Sequence, residues 1–175
     1  RGLPPGFSTG WKTLDPFYTV APGQLTIVTG WPGSGKSEWL DALLVNLSRQ
    51  GWRFAVFSFE NQPVELHAAK LLEKLDGRPF GAGPTERIAK DKLPELTTDL
   101  SQTFGMFQTA SGGTDVDSIL NAATSWFDAY AGDHAGLVID PWNELEHRRP
   151  NNLSETEYVS QTLSVIRQWA RDSKV

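Results

Sequence analysis

Eight consecutive residues, Gly30-Trp31-Pro32-Gly33-Ser34-Gly35-Lys36-Ser37, follow the pattern G-x-x-x-x-G-K-[ST] without a mismatch. Such a run can bind phosphate. Its glycines let successive backbone N–H groups turn inward around phosphate oxygens, Lys36 brings a mobile ammonium to the β- and γ-phosphates, and Ser37 offers a hydroxyl to Mg2+. Gly30 to Ser37 is therefore the candidate ATP site, and Lys36 is also a candidate catalytic group. Two carboxylates could complete it. Asp140 ends the apolar run Leu137-Val138-Ile139, where it would emerge at the carboxyl edge of a sheet as a Walker B partner for the same Mg2+. An acid that merely terminates a strand is the plainer alternative. Glu60 closes Phe57-Ser58-Phe59, and from that edge it could orient and deprotonate a water for in-line attack on the γ-phosphate. Its plainer alternative is an acid at a helix start, favoured by the helix dipole.

These groups need elements to hold them. Short apolar runs alternate with longer helical patterns, which is the pattern of βαβ units around a parallel sheet and predicts an α/β fold. After the turn Ala21-Pro22-Gly23, residues Gln24–Thr29 read as the first strand and lead straight into the glycine-rich run. A helix from about Lys36 to Gln50 follows, with Trp39, Leu40, Leu43, Leu44 and Leu47 at helical spacing and Gly51 as its stop. The second strand is Phe54–Phe59. Asn61 is a candidate cap for the next helix, which ends at Asp76-Gly77. Residues 78–99, broken by glycines and prolines, read as an excursion with one short helix. A third strand over Phe104–Gln108, a helix capped near Thr114 and Asp117, and a fourth strand over Gly136–Asp140 come next. The capping box Ser154-Glu155-Thr156-Glu157 opens a final helix carrying Val159, Leu163, Ile166 and Trp169. Because the alternation closes on a helix, a further strand is expected beyond Val175. Residues 1–23 read as a lead-in and 24–175 as a phosphate-loop core, with no second domain.

Composition narrows the class. The 175 residues include 39% hydrophobic residues and 16 Gly, an ordinary globular balance that argues against disorder. With no Cys there is no disulfide framework, no thiolate metal site and no Cys nucleophile. No run of 18 apolar residues is present, so a membrane-spanning helix and membrane attachment are not expected. The net charge of −5 argues against a domain that grips duplex DNA with its whole surface, while a local basic stripe such as Arg148-Arg149 stays compatible with it. His67, His134 and His147 share no metal-ligand spacing and read as structural. Of the seven Trp, Trp39, Trp126 and Trp169 fall in helical patterns and read as core, whereas Trp31 and Trp142 read as exposed.

Taken together, the lead-in Thr9-Gly10-Trp11, Leu14-Asp15 and Pro22–Thr29, the phosphate loop, Ser58-Phe59-Glu60 and the strand ending in Asp140 resemble the RecA-type ATPase core of DnaB-like replicative helicases. Within that group, Trp31–Glu38 and Asp140-Pro141-Trp142-Asn143-Glu144-Leu145 look most like Twinkle-type and phage primase-helicase proteins. The resemblance implies a RecA-like P-loop fold, ATP and Mg2+ as ligands, and Glu60 as catalytic base. It also implies a ring, hexameric in the family, that moves along single-stranded DNA, and a possible primase partner. The implied setting is the cytoplasm of a bacterial or phage-infected cell, with the mitochondrial matrix also compatible. The family's sensor residue and arginine finger fall beyond Val175 in the pattern, so the chain alone is expected to bind nucleotide better than it hydrolyses it. Two other readings remain: a recombinase-like regulatory ATPase that assembles on ATP, and a small-molecule P-loop kinase.

Overall fold

The central strand is written in the alternation of its side chains. In the computed structural model, which describes residues 5–107, 114–130, 132–147 and 149–175, β1 spans Trp52–Ser58. Trp52, Phe54 and Val56 face one apolar cluster, and Ala55 and Phe57 face another. A strand buried on both faces needs covering layers on both faces, and five helices supply them.

On the first face lie α1 (Lys36–Ser48), α2 (Val64–Asp76) and α3 (Leu93–Thr103), contributing Leu43, Leu44, Leu47, Leu71, Leu72 and Leu100 to the core. On the second lie α4 (Val116–Ala129) and α5 (Glu155–Ser173), which bring Ile119, Leu120, Ala123 and Ile166. Trp39, Trp126 and Trp169 all pack against these clusters, as their helical spacing predicts.

β1 is flanked in parallel by β2 (Phe104–Phe107) and β3 (His134–Asp140), giving the order β2-β1-β3. The register pairs Phe54 with Phe104 on one side and Ser58 with Asp140 on the other. The protein is thus α/β, a three-stranded parallel sheet flanked by helices. The chain leaves β1 over the first face to reach β2 and returns over the second face to reach β3. The carboxyl ends of β1 and β3 lie side by side at one edge of the sheet, the usual ligand position in an open α/β sheet.

Three expectations need correction. Gln24–Thr29 joins no ladder among the described residues, and the sheet consists of β2, β1 and β3. Ile27 and Val28 are 64% and 41% exposed, and the segment is held by Gly23 N–H donating to Val175 O at 2.8 Å and by Tyr18 Oη against Thr26 Oγ1 at 3.1 Å. Asn61 does not cap α2: the cap position is Pro63, which has no side-chain acceptor to offer, and Asn61 turns elsewhere. For α4 the cap is Asp115, whose carboxylate accepts from Ser118 N–H at 3.0 Å, in place of Thr114 or Asp117. The capping box that opens α5 is present as predicted, with Ser154 and Glu157 bonded reciprocally.

Candidate functional site

The glycine-rich run is an exposed loop whose shape rests on two left-handed residues, Gly33 at φ 74° and Gly35 at φ 85°. A Cβ at either would meet nothing within 4 Å, so it is the backbone conformation and not crowding that calls for glycine there. Gly35 is also the cap position of α1 and supplies no side-chain acceptor. The N–H groups of the first turn therefore have no acceptor within the helix, and the dipole places partial positive charge beside the open loop. Lys36 Nζ lies over the loop and donates to Gly30 O and Trp31 O, each at 3.1 Å. An ammonium parked on carbonyls is free to exchange them for a stronger acceptor such as phosphate. Trp31 is 86% exposed.

Next along the chain, Ser37 Oγ donates to Asp140 Oδ2 at 2.8 Å, across 103 residues of sequence. That contact ties the first turn of α1 to the last residue of β3. A hydroxyl and a carboxylate side by side are the hard oxygen donors that Mg2+ takes, alongside phosphate oxygens and water. The donor set therefore fits Mg2+ bound with a nucleotide.

Glu60 lies at the same edge. The ladder pairs Ser58 with Asp140, and Phe59 N–H extends it by donating to Asp140 O at 2.8 Å. Glu60 then follows at once and is exposed. The structure brings the phosphate loop, Ser37 and Asp140 together, and it sets Glu60 on the neighbouring strand end.

Sequence reasoning missed the polar scaffold behind these groups. Ser58, 5% exposed, accepts from Asn61 Nδ2 at 3.0 Å, and its carbonyl accepts from Gln62 Nε2 at 2.8 Å. Lys70 and Lys74 of α2 converge on Glu38 of α1 at 3.5 and 2.7 Å. Lys74, chiefly through its hydrogen bond, holds the Glu38 carboxyl below the usual carboxylate range. Behind them His67 Nε2 meets Asp41 Oδ1 at 2.9 Å between α1 and α2, both residues buried. The i, i+4 spacing of Lys70 and Lys74 was the available signal for the first of these contacts.

The lead-in folds as a turn docked on α1. Asp15 accepts from the hydroxyls of Ser8 at 2.6 Å and Thr9 at 2.7 Å, which lower its pKa. Asn46 Nδ2 donates to Thr9 O at 2.9 Å, and Trp11 stacks on Trp39 with centroids 5.8 Å apart. Trp142, expected to be exposed, is half-buried against the second core cluster, and its carbonyl meets His147 Nε2 at 3.2 Å. An apolar neighbourhood formed by the loop after β3 outweighs its position near the site. Arg149 is exposed, and Arg148 lies outside the described residues. Among the described residues no group of three or more His, Cys, Asp or Glu could hold a metal.

No protein-family model matches the chain. It is, however, 44% identical over 172 residues to the Twinkle homolog protein, chloroplastic/mitochondrial, of Arabidopsis thaliana. The likeness is Twinkle-type. It covers 95% of this chain and 24% of the relative, so the chain spans about a quarter of the relative's length. That span includes the lead-in turn, the phosphate loop, both strand-end carboxylates and the sheet joining them, an arrangement compatible with a RecA-like core.

Proposed function

We propose that this chain is the ATP-binding and hydrolysing core of a DNA helicase, and that the intact protein works as a ring coupling ATP hydrolysis to movement along single-stranded DNA. The observation that carries the reading is the Ser37 to Asp140 contact at 2.8 Å beside an open, left-handed glycine loop. The Twinkle-type likeness over 95% of the chain supports the helicase part and favours an organelle as the setting.

In this reading the loop N–H groups and the α1 terminus bind the phosphates, and Lys36 leaves Gly30 O and Trp31 O to meet the β- and γ-phosphates. Ser37 and Asp140 hold Mg2+, which when bound neutralises charge on the phosphate oxygens. Glu60 accepts a proton from the attacking water from the side opposite the leaving group. Trp31, 86% exposed within the loop, is open to contact by a base or a neighbouring subunit.

The test is nucleotide binding and DNA-stimulated ATP hydrolysis by the intact protein. Lys36→Ala should lose nucleotide binding, while Glu60→Gln should keep it and lose turnover by about 10²–10⁴-fold. Normal turnover by Glu60→Gln would remove it as the base. Hydrolysis indifferent to DNA would turn the reading toward an ATPase that assembles on nucleotide, and phosphate transfer to a metabolite would turn it toward a kinase.

A further inference from the structure

Glu60 stands in a short segment held from two sides. Toward β3, Phe59 N–H donates to Asp140 O at 2.8 Å. Toward α2, Lys70 Nζ donates to Asn61 Oδ1 at 3.1 Å, and Asn61 Nδ2 donates back to Ser58 Oγ at 3.0 Å. The same Lys70 ammonium lies 3.5 Å from Glu38, the residue immediately after Ser37 in the first turn of α1. One cation therefore touches both the helix turn that follows the phosphate loop and the residue that follows Glu60. Lys74, one turn further along α2, anchors Glu38 from the other side at 2.7 Å.

We infer that Lys70 is a positioning residue: through Glu38 and Asn61 it couples the first turn of the phosphate-loop helix to the segment that carries Glu60. The exposure of the groups supports this. The side chains of Lys70 and Glu38 are 43% and 57% exposed, and ion pairs that open to water add little to stability. What the contacts do supply is geometry, because ordering long side chains around one ammonium fixes the backbone they attach to. A base displaced by about 1 Å can lose about 10²-fold in rate, so a tie of this kind has more to give in orientation than in stability.

The inference rests on Glu60 being the base, and the experiment separates the two. In the intact protein, steady-state hydrolysis, nucleotide binding and thermal unfolding are compared for Lys70→Met, Lys70→Arg, Asn61→Leu, the double variant Lys70→Met/Asn61→Leu, and Glu60→Gln. Lys70→Met should lower kcat by about 10–100-fold while KM and nucleotide affinity stay within about twofold. Lys70→Arg should restore most of the rate, since a guanidinium also reaches an amide oxygen and a carboxylate. The double variant should be no slower than the slower single one. Unchanged kcat in Lys70→Met beside an inactive Glu60→Gln overturns the coupling alone. Equal losses for Met and Arg, additive losses in the double variant, or a fall in rate matched by a fall in melting temperature also overturn it. Normal turnover by Glu60→Gln overturns the base assignment and the coupling with it.

Discussion

A hydroxyl and a carboxylate separated by 103 residues meet at 2.8 Å, and the candidate Mg2+ pair depends on that meeting. Each was visible in the sequence for its own reason, Ser37 from the loop pattern and Asp140 from the apolar run before it. Their separation was not visible, because a pattern carries no distance. The lead-in gives a second residue-scale case. Asp15 accepts from Ser8 and Thr9, and those hydroxyls, Ser8's first, lower its pKa from the ordinary 3.8. A carboxyl whose folded pKa is depressed stabilises the fold above its unfolded pKa, and the contribution is lost as pH falls through the lowered folded value. Ser8→Ala should therefore melt earlier than the parent protein at pH 7, and the two melting curves should converge as acid takes the pH below 3.8. Melting temperatures measured across that range would decide it, and a gap that persists in acid would argue against the linkage.

At the scale of elements, α1 and α2 meet through a buried polar contact inside an otherwise apolar interface. His67 and Asp41 are 3% and 4% exposed, and Asp41 Oδ2 has no hydrogen-bond partner. Removing the imidazole strands the whole carboxylate away from water, so His67→Ala should cost about 3–5 kcal/mol, whereas replacing both residues with leucine should cost much less. Urea unfolding of the three proteins, read as midpoints at unchanged slope, would show it. A loss for His67→Ala no larger than for the double variant would contradict the account. Legibility at this scale followed one rule. Helices and strands that are amphipathic or apolar throughout, such as α4, α5, β1 and β3, could be read in the sequence, since burial is written in their spacing. The features missed were set by tertiary neighbours. Asn61 has a good capping side chain but uses it on Ser58 and Lys70, so Pro63 takes the cap position by default. Gln24–Thr29 has strand composition but joins no ladder among the described residues. His67, Lys70 and Lys74 make the polar contacts between α1 and α2, and the spacing that sets the two lysines on one face does not say which helix that face will meet.

The whole molecule is a sheet with a well-covered centre and a lightly held approach to its loop. Trp52, Phe54, Ala55 and Val56 of β1 are each 3% exposed or less, while Ile27 and Val28 just before the phosphate loop are 64% and 41% exposed. Amides protected by a central ladder exchange their protons only through large opening events, whereas unladdered amides exchange through small ones. In hydrogen–deuterium exchange of this chain, residues 24–29 should label early and 52–58 late, and equally slow labelling of both would show that the segment is paired in solution. The consequence is mechanical. One end of the phosphate loop continues into α1 and is tied through Ser37 to β3, while Lys36 Nζ ties the other end, at Gly30 O and Trp31 O, back to the same helix. A phosphate that drew the Lys36 ammonium to itself would release those two carbonyls, while the strand ends that carry Asp140 and Glu60 stay bonded to each other through Ser58 and Phe59.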